Sequence, residues 1–377
     1  MVPGGFNSFG SFIIFRKYGF MESIRFAGTE VREKEFTGVL RKRVNDYFRL
    51  NHISQKADAG MVIKTIVMLL VYLLPFALLL TVPMSNWAAL ACVVVMGFGI
   101  AGVGMGVMHD ATHGALSRRQ WVNDIFSGTL YLLGSNVSNW KIQHNVLHHT
   151  YTNIQGMDED IDAKGPIRLS ESTPKRKYHR FQYIYAFIFY GLMTLTILFN
   201  DFFRIIKYNR MGLLTAQQKT LGAELTRMAF RKIIYLVTVL GLPLWLTSFS
   251  IGQVLLGFFI MHWVASIILS FVFQMAHVVE GASQFQASPV IISDWHVHQL
   301  KTTSDFGRSN RFLTWYVGGL NYQIEHHLFP NICHVHYKKI APIVQQTALE
   351  FGIPYNLKPT FRAAMASHIQ LLKDLGK

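Results

Sequence analysis

The chain has 377 residues, a net charge of +15, and a composition that is 51% apolar but only 15% charged. That composition excludes a disordered chain, which buries too little apolar surface to fold. It also argues against an ordinary soluble domain, in which about a quarter of residues are charged. Residues 1–60 read as an N-terminal cytoplasmic segment. Its opening run, Gly4–Phe15, is glycine-rich and lacks the basic start of a secretory signal. Its end carries Arg41, Lys42, Arg43 and Arg49, and basic flanks stay in the cytoplasm. From 61 to 377 the chain reads as one membrane domain. Two apolar segments, about 62–82 and 87–108, approach the length that crosses about 30 Å of hydrocarbon. The uncharged link 83–86 joins them as an outer turn. A second pair follows at about 233–247 and 252–275, joined by the uncharged link 248–251. The segment 233–247 is the shortest and contains Pro243.

Between the pairs lies another apolar stretch, Phe181–Phe199. Lys175, Arg176, Lys177 and Arg180 precede it, and Arg204, Lys207 and Arg210 follow it. A crossing would put one basic flank outside, so this stretch is expected to lie on the membrane face. Residues 128–134 are apolar enough to graze the membrane as well. The C-terminal tail is basic through Lys338, Lys339, Lys358, Arg362, Lys373 and Lys377. These cues predict an all-α integral membrane protein of two transmembrane hairpins, four spans in total, with both termini cytoplasmic. Residues 109–230 and 276–377 would form a helical cytoplasmic cap. The excess positive charge is read as membrane and protein electrostatics, with no nucleic-acid partner.

Chemistry is concentrated in the histidines. His109 and His113 stand in HDATH just after the second span, and on a continuing helix a spacing of four puts both on one face. His144, His148 and His149 stand in HNVLHH. There the first two share a face, and His149 points about 100° away, toward a second metal. His277 ends the fourth span, and His326 and His327 stand in QIEHH. A lone histidine at a membrane interface is usually a hydrogen-bonded polar residue. Repeated clusters, all expected on one side of the membrane, point instead to metal, for which imidazole is the commonest ligand. Eight ring ligands exceed what one four- to six-coordinate ion uses, so two ions are expected. The two cysteines, Cys92 and Cys333, lie far apart and form no CxxC. They argue against a disulfide framework or a cysteine-built cluster.

The motifs HDATH, WKIQHNVLHHTYTN and GGLNYQIEHHLFP resemble the three histidine boxes of the membrane-bound fatty acid desaturases. The likeness runs from about Phe36 to Tyr355. It implies a di-iron centre that uses O2 and two electrons to remove two hydrogens from an acyl chain. Carried over by position, His109, His113, His144, His148, His149, His326 and His327 match the box ligands. His277 matches the further histidine that the family places after its last span. Gln323 stands where many members have histidine. The QxxHH form is typical of front-end desaturases, which act on the carboxyl side of an existing double bond, and also occurs in sphingolipid desaturases. Gln323 is therefore placed in or near the ligand shell. The acyl substrate could ride on CoA, a carrier protein or a membrane lipid. HPGG, the haem motif of a fused cytochrome b5, does not occur in the sequence, so the resemblance implies a separate ferredoxin or cytochrome b5 as electron donor.

Further polar residues are expected to orient the ligands, because metal-bound histidine donates its second N–H to a carboxylate or carbonyl. The candidates are Asp110, Glu325 and the run Asp158, Glu159, Asp160 and Asp162, with Asn321 as a holder of metal-bound water. His296 and His298, two apart in DWHVHQL, are spaced like same-face strand residues and are expected to support the site. His52, His179, His262, His334, His336 and His368 are expected to be structural. Two rival readings stay open: a membrane hydroxylase or alkane monooxygenase, and a histidine-rich metal receptor or transporter. A transporter would place its polar ligands inside the spans.

Overall fold

The computed structural model describes residues 24–377 except 29, 163 and 164, together with the short strands Phe15–Arg16 and Phe20–Met21. The run Gly4–Phe15 lies outside the described residues save for its last member. Among the described residues, four helices are long and apolar enough to cross a membrane: Ala59–Thr81, Asn86–Thr112, Leu221–Leu246 and Ile251–His277. The starts of the first, second and fourth are fixed by side-chain caps. Asp58 accepts from the Met61 N–H at 2.8 Å. Ser85 accepts from the Ala88 N–H at 3.3 Å, and Ser250 and Gln253 cap each other reciprocally. Gln253 Nε2 also donates to Asn86 Oδ1 at 2.9 Å, which ties the two hairpin turns together.

The second helix is the centre of the bundle, and glycine lets it be so. A Cβ on Gly99 would fall 2.7 Å from the Tyr72 nitrogen of the first helix, and one on Gly97 would fall 2.8 Å from the Met261 carbonyl of the fourth. Small residues permit this close backbone approach where apolar association alone is weak. Ile63, Ile66 and Leu70 on the first helix and Ile233, Val237 and Trp245 on the third point outward instead. Such a large apolar surface suits lipid.

The third helix begins twelve residues before the expected 233, at Leu221. Its first three turns are amphipathic, so they escape a search for uniform hydropathy. Their polar face is buried in the cap. The Ser138 hydroxyl donates to Glu224 at 2.6 Å, and Lys232 meets Asp201 at 2.9 Å. The stretch 181–199 is not one straight helix. Lys177–Tyr190 and Met193–Arg210 meet at an 83° bend. The bend seats Gly191 against the Trp263 indole of the fourth helix.

Cap helices surround the histidine-bearing end of the bundle. Helix Val31–Leu50 buries Phe36, Leu40, Val44 and Phe48, one stripe of an amphipathic helix. That stripe packs on Ile340, Ala341, Val344 and Ala348 of helix Tyr337–Glu350, and on Ile324 and Leu328 beside the third histidine box. Two-residue parallel pairings fasten 25–26 to 290–291 and 305–306 to 357–358. His296 and His298 lie on a helix, Trp295–Thr302, rather than on a strand. Asp294 caps that helix by accepting the His296 N–H at 2.8 Å. Nearly all of the helix is buried, so alternation carried no information there.

Candidate metal centre

The first two histidine boxes are carried by helix with π-helical turns, and the others by α-helix. The second apolar helix widens into a π-helical turn at Val103–Met108 before His109–Thr112. His113 closes that helix, with its ring 4.9 Å from the His109 ring. The second box occupies a π-helix, Lys141–His148, and Asn136 caps its α-helical lead-in by accepting the Asn139 N–H at 3.0 Å. His277 is the last residue of the fourth apolar helix. The third box is the six-residue helix Gln323–Leu328.

These pieces bring all eight histidines into one connected cluster. One ligand nitrogen from each of His109, His113, His144 and His326 lies within 4.8 Å of the others. The same holds for His148, His277 and His327, and for His149, His326 and His327. His144 Nε2 is 3.0 Å from His109 Nε2 and 3.2 Å from His149 Nε2. By ring-nitrogen distance His144 groups with the first box and His148 with His277 and His327, whereas the spacing of four predicts His144 and His148 on one ion. His149 bridges the two groups, with its ring 4.6 Å from His326 and 4.4 Å from His327. The wider π-helical turn rotates the three side chains away from their α-helical directions.

Against this geometry stands the comparison with known proteins. The sequence profile of the family described as fatty acid desaturase matches residues 85–359. The chain belongs to the fatty acid desaturase family. It is similar to the sn-1 linoleoyl-lipid 6-desaturase of Arthrospira platensis, at 35% identity over 90% of this chain and 92% of that protein. The Synechocystis sn-1 linoleoyl-lipid 6-desaturase is 33% identical over 92% of this chain and 97% of its own length. The acyl-lipid (8-3)-desaturase of Physcomitrium patens is also 33% identical, over 92% of this chain and 73% of its own length.

The donor set of this desaturase is compatible with metal. Four of the rings are held from behind. His148 Nδ1 meets Asp158 Oδ2 at 3.0 Å, and His327 Nδ1 meets Gln299 Oε1 at 2.8 Å. His326 Nδ1 meets the Tyr337 hydroxyl at 3.2 Å, and His277 Nδ1 meets the Thr302 carbonyl at 3.3 Å. A ring that donates through Nδ1 presents Nε2 as an acceptor. Nε2 of His113, His326 and His327 and Nδ1 of His149 are buried and lack a hydrogen-bond partner among the described residues. Leaving such atoms unpaired costs about 1–3 kcal/mol each, and a metal ion would offset that. Burial, followed by the neighbouring histidines, holds His113, His144, His149, His326 and His327 well below the usual imidazole range. They are therefore neutral at pH 7, the form that ligates metal.

The expected supporting residues divide. Asp158 backs His148, and Asp160 stands 3.6 Å from the same nitrogen. Glu159 instead pairs with Arg204 and Lys207, and Asp162 accepts the Gly156 N–H. Asp110 turns to His334 Nδ1 at 2.8 Å, not to a box histidine. Asp110, Cys333 and His334 are close enough to suggest another metal site, but the Lys64 ammonium occupies His334 Nε2 at 2.9 Å. Glu325 also turns away from the histidines. Tyr355 OH lies 2.9 Å from Glu325 Oε1 and 2.7 Å from Asp305 Oδ2. Burial and the Asp305 charge push the Glu325 carboxyl far up, so this pair holds a proton. Asn321 spends its amide N–H groups on Phe306 and Thr314, and its Oδ1 is buried without a partner among the described residues. Gln323 Nε2 lies 3.2 Å from His277 Nε2, at the edge of the ligand cluster. His298 Nε2 holds the Thr152 carbonyl at 2.8 Å behind the second box.

The histidines outside the boxes make structural bonds. His262 joins Tyr235 and Thr194, His368 joins Val278 and Tyr190, and His336 joins the Lys56 carbonyl. His179 accepts the Arg176 N–H, while His52 is exposed in a turn. Sequence reading missed Gln299, Thr302 and Tyr337. None is charged, and all three lie on other elements, 11 to 28 residues from the rings they hold. Beside His109 a cavity of about 60 Å³ is lined by Gly104, Met108, Leu133, Trp140, Leu269 and Phe273. A larger apolar cavity, about 330 Å³, lies at the hairpin turns and touches no box histidine.

Proposed function

We propose that the eight histidines hold two iron ions, and that the desaturase inserts a cis double bond into an acyl chain on the carboxyl side of an existing one. The observation that carries this reading is the convergence of buried imidazoles, among which His326 and His327 are tethered through Nδ1 and present Nε2 without a partner among the described residues. His109, His113, His144 and His326 would form one ligand group, and His148, His277 and His327 the other, with His149 between them. Bound iron would supply, with O2 and donated electrons, the oxidant that an unactivated C–H bond requires.

The chain's own residues do the rest. Gln299, Tyr337, Thr302 and Asp158 fix which nitrogen each ring presents. Gln323, at 3.2 Å from His277 Nε2, would bear on the second group directly or through water. The apolar walls beside His109 would seat a methylene against the centre and exclude water. Relatives named for a linoleoyl lipid and for position 6 support an acyl-lipid substrate and a bond near the carboxyl end. The four apolar helices and the basic flanks support a multi-pass membrane protein with residues 61–377 as its desaturase domain and both termini cytoplasmic. Electrons would come from a separate ferredoxin or cytochrome b5.

The test is product mapping. A host expressing the chain is fed saturated and polyunsaturated acids of several lengths, and each new bond is located by mass spectrometry. A new double bond at one carbon number from the carboxyl end, only in chains already unsaturated, is the expected result. An alcohol product would favour a hydroxylase, and a bond that tracks the methyl end would refute the front-end assignment.

A further inference from the structure

Two cavities lie along one seam of the bundle. The cavity beside His109 takes Gly104 and Met108 from the second apolar helix and Leu269 and Phe273 from the fourth. The cavity at the hairpin turns takes Val93 and Met96 from the second helix and Phe258 and Met261 from the fourth. Along both helices these residues follow one another at spacings of three, eight and four, which keeps each set on one helix face. Between the two cavities the same faces carry Ile100 and Ala265, which are fully buried and line neither.

The rest of this partition is polar. His262 stands near the middle of Ile251–His277 and is fully buried. Its Nε2 meets the Tyr235 hydroxyl of the third apolar helix at 2.6 Å, and its Nδ1 meets the Thr194 hydroxyl of helix Met193–Arg210 at 2.8 Å. The Thr194 hydroxyl also meets Ser266 Oγ at 2.7 Å. The cluster reaches both cavities. Thr194 lines the smaller one, and the ring of Phe258, which lines the larger, is centred 4.5 Å from the His262 ring. Polar side chains inside a membrane are expensive, and an ionisable one there is by default functional. Directional bonds to two other helices give His262 a fixed position that apolar packing alone does not.

We propose, resting on the acyl-chain reading of the site, that the cluster of Tyr235, His262, Thr194 and Ser266 is the stop for the distal tail of the substrate. It separates the two cavities and so limits how much chain the desaturase accepts beyond the reacting carbon. The cavity beside His109, about 60 Å³, has room for about two waters at 30 Å³ each. A tail entering there meets the partition at once, so its length limit is set at the partition and not at the metal centre. Beyond it lies an apolar cavity of about 330 Å³. Opening the partition lengthens the path without moving a box histidine, so the position of the new bond, counted from the carboxyl end, stays fixed. His262 is a positioning residue in this scheme: it holds the Thr194 wall in place.

The test uses the full-length protein, loaded with iron, in nanodiscs and driven by dithionite with a small mediator. A mixture of cis-unsaturated acyl lipids of increasing tail length is supplied, competition gives the relative kcat/KM of each, and mass spectrometry locates each new bond. His262→Ala combined with Tyr235→Phe, which strands no tyrosine hydroxyl, is expected to raise the kcat/KM of the longest tail relative to the shortest about tenfold, with the new bond at the same carbon. Val93→Trp fills the larger cavity and should reverse that gain when added to the double variant. His262→Gln keeps a donor and an acceptor and should hold the wild-type length profile. If the double variant does not fold, Thr194→Val, which removes the hydroxyl that His262 Nδ1 meets, is read in the same way. A merely structural cluster would lower turnover of every length alike. That result, or a gain that survives Val93→Trp, would overturn the stop while leaving the desaturase reading intact. A wild-type protein that forms no alkene from any tail would overturn the acyl-chain reading, and the stop with it.

Discussion

Replacing Gln299 by leucine isolates the contribution of the shell behind the ligands. Gln299 is fully buried. Its Oε1 accepts from His327 Nδ1 and from the Thr152 hydroxyl, each at 2.8 Å, and its Nε2 donates to the His149 carbonyl at 3.2 Å. Leucine has similar volume and makes none of these bonds. Thr152 keeps a second acceptor in the His148 carbonyl at 2.7 Å. The His149 carbonyl loses its partner, at about 1–3 kcal/mol, while His327 Nδ1 is left with the longer Thr152 hydroxyl contact at 3.3 Å. The expected loss of stability is therefore about 1–4 kcal/mol. The larger consequence is for metal. His327 is no longer held in the tautomer and orientation that present Nε2, and loss of such a partner lowers metal affinity about 10- to 100-fold. Gln299→Glu keeps the acceptor for His327 and should lose much less affinity. The assay is retained iron after equilibration against a chelator series, read beside the melting temperature. Wild-type iron affinity in Gln299→Leu would refute the role assigned to this residue, whatever the melting temperature did.

Other outcomes follow from the same structure. His148→Ala and His327→Ala should each abolish desaturation while the protein still inserts, because the four apolar helices pack through other residues; an active variant of either would exclude that residue as an essential ligand. Single cysteines at Lys175→Cys and Lys207→Cys, in a background without Cys92 and Cys333, should label from the same side of the membrane, and opposite sides would make the bent pair 177–210 a crossing. His368 is buried against Val278 and Tyr190, and burial lowers its pKa from 6.5 to about 4. Its stabilisation is present above pH 6.5 and is lost as pH falls toward 4, because the unfolded chain binds the proton first. The difference is about 3 kcal/mol. The melting temperature should therefore fall less steeply with acidification in His368→Gln than in the wild type, and equal slopes would contradict this.

Much of the architecture is legible in the sequence because membrane burial requires long uniform apolar runs, and these stand out without any partner. The ends of the first, second and fourth helices follow from Asp58, Ser85 and Ser250. The start of the third does not, because Glu224 and Lys232 look solvated until Ser138 and Asp201 are seen against them. The repetition of the histidines pointed to their convergence, whereas their spacing did not show which ring nitrogens lie nearest one another. Assigning His144, His148 and His149 to the two groups depends on a π-helical turn, which residue spacing does not announce. Carboxylates attract attention as supporting groups, yet of those expected only Asp158 and Asp160 approach a box histidine. Asp110 and Glu325 stand next to ligands in sequence but, as helical neighbours, point elsewhere, to His334 and to Tyr355 with Asp305. The neutral groups that back His326, His327 and His277 come from Tyr337, Gln299 and Thr302. An uncharged acceptor has no sequence signature, and only tertiary packing brings it to its ring.

The claim that the eight histidines form one centre for two metal ions is tested most directly by counting iron. The protein is purified anaerobically with Fe(II), freed of loosely bound metal and assayed for iron per chain in parallel with single-turnover product. The account predicts two irons per chain in wild type, product formation only when both are present, and loss of at least one iron in His326→Ala and in His277→Ala. A single iron at full activity, or two irons retained in both variants, would contradict it.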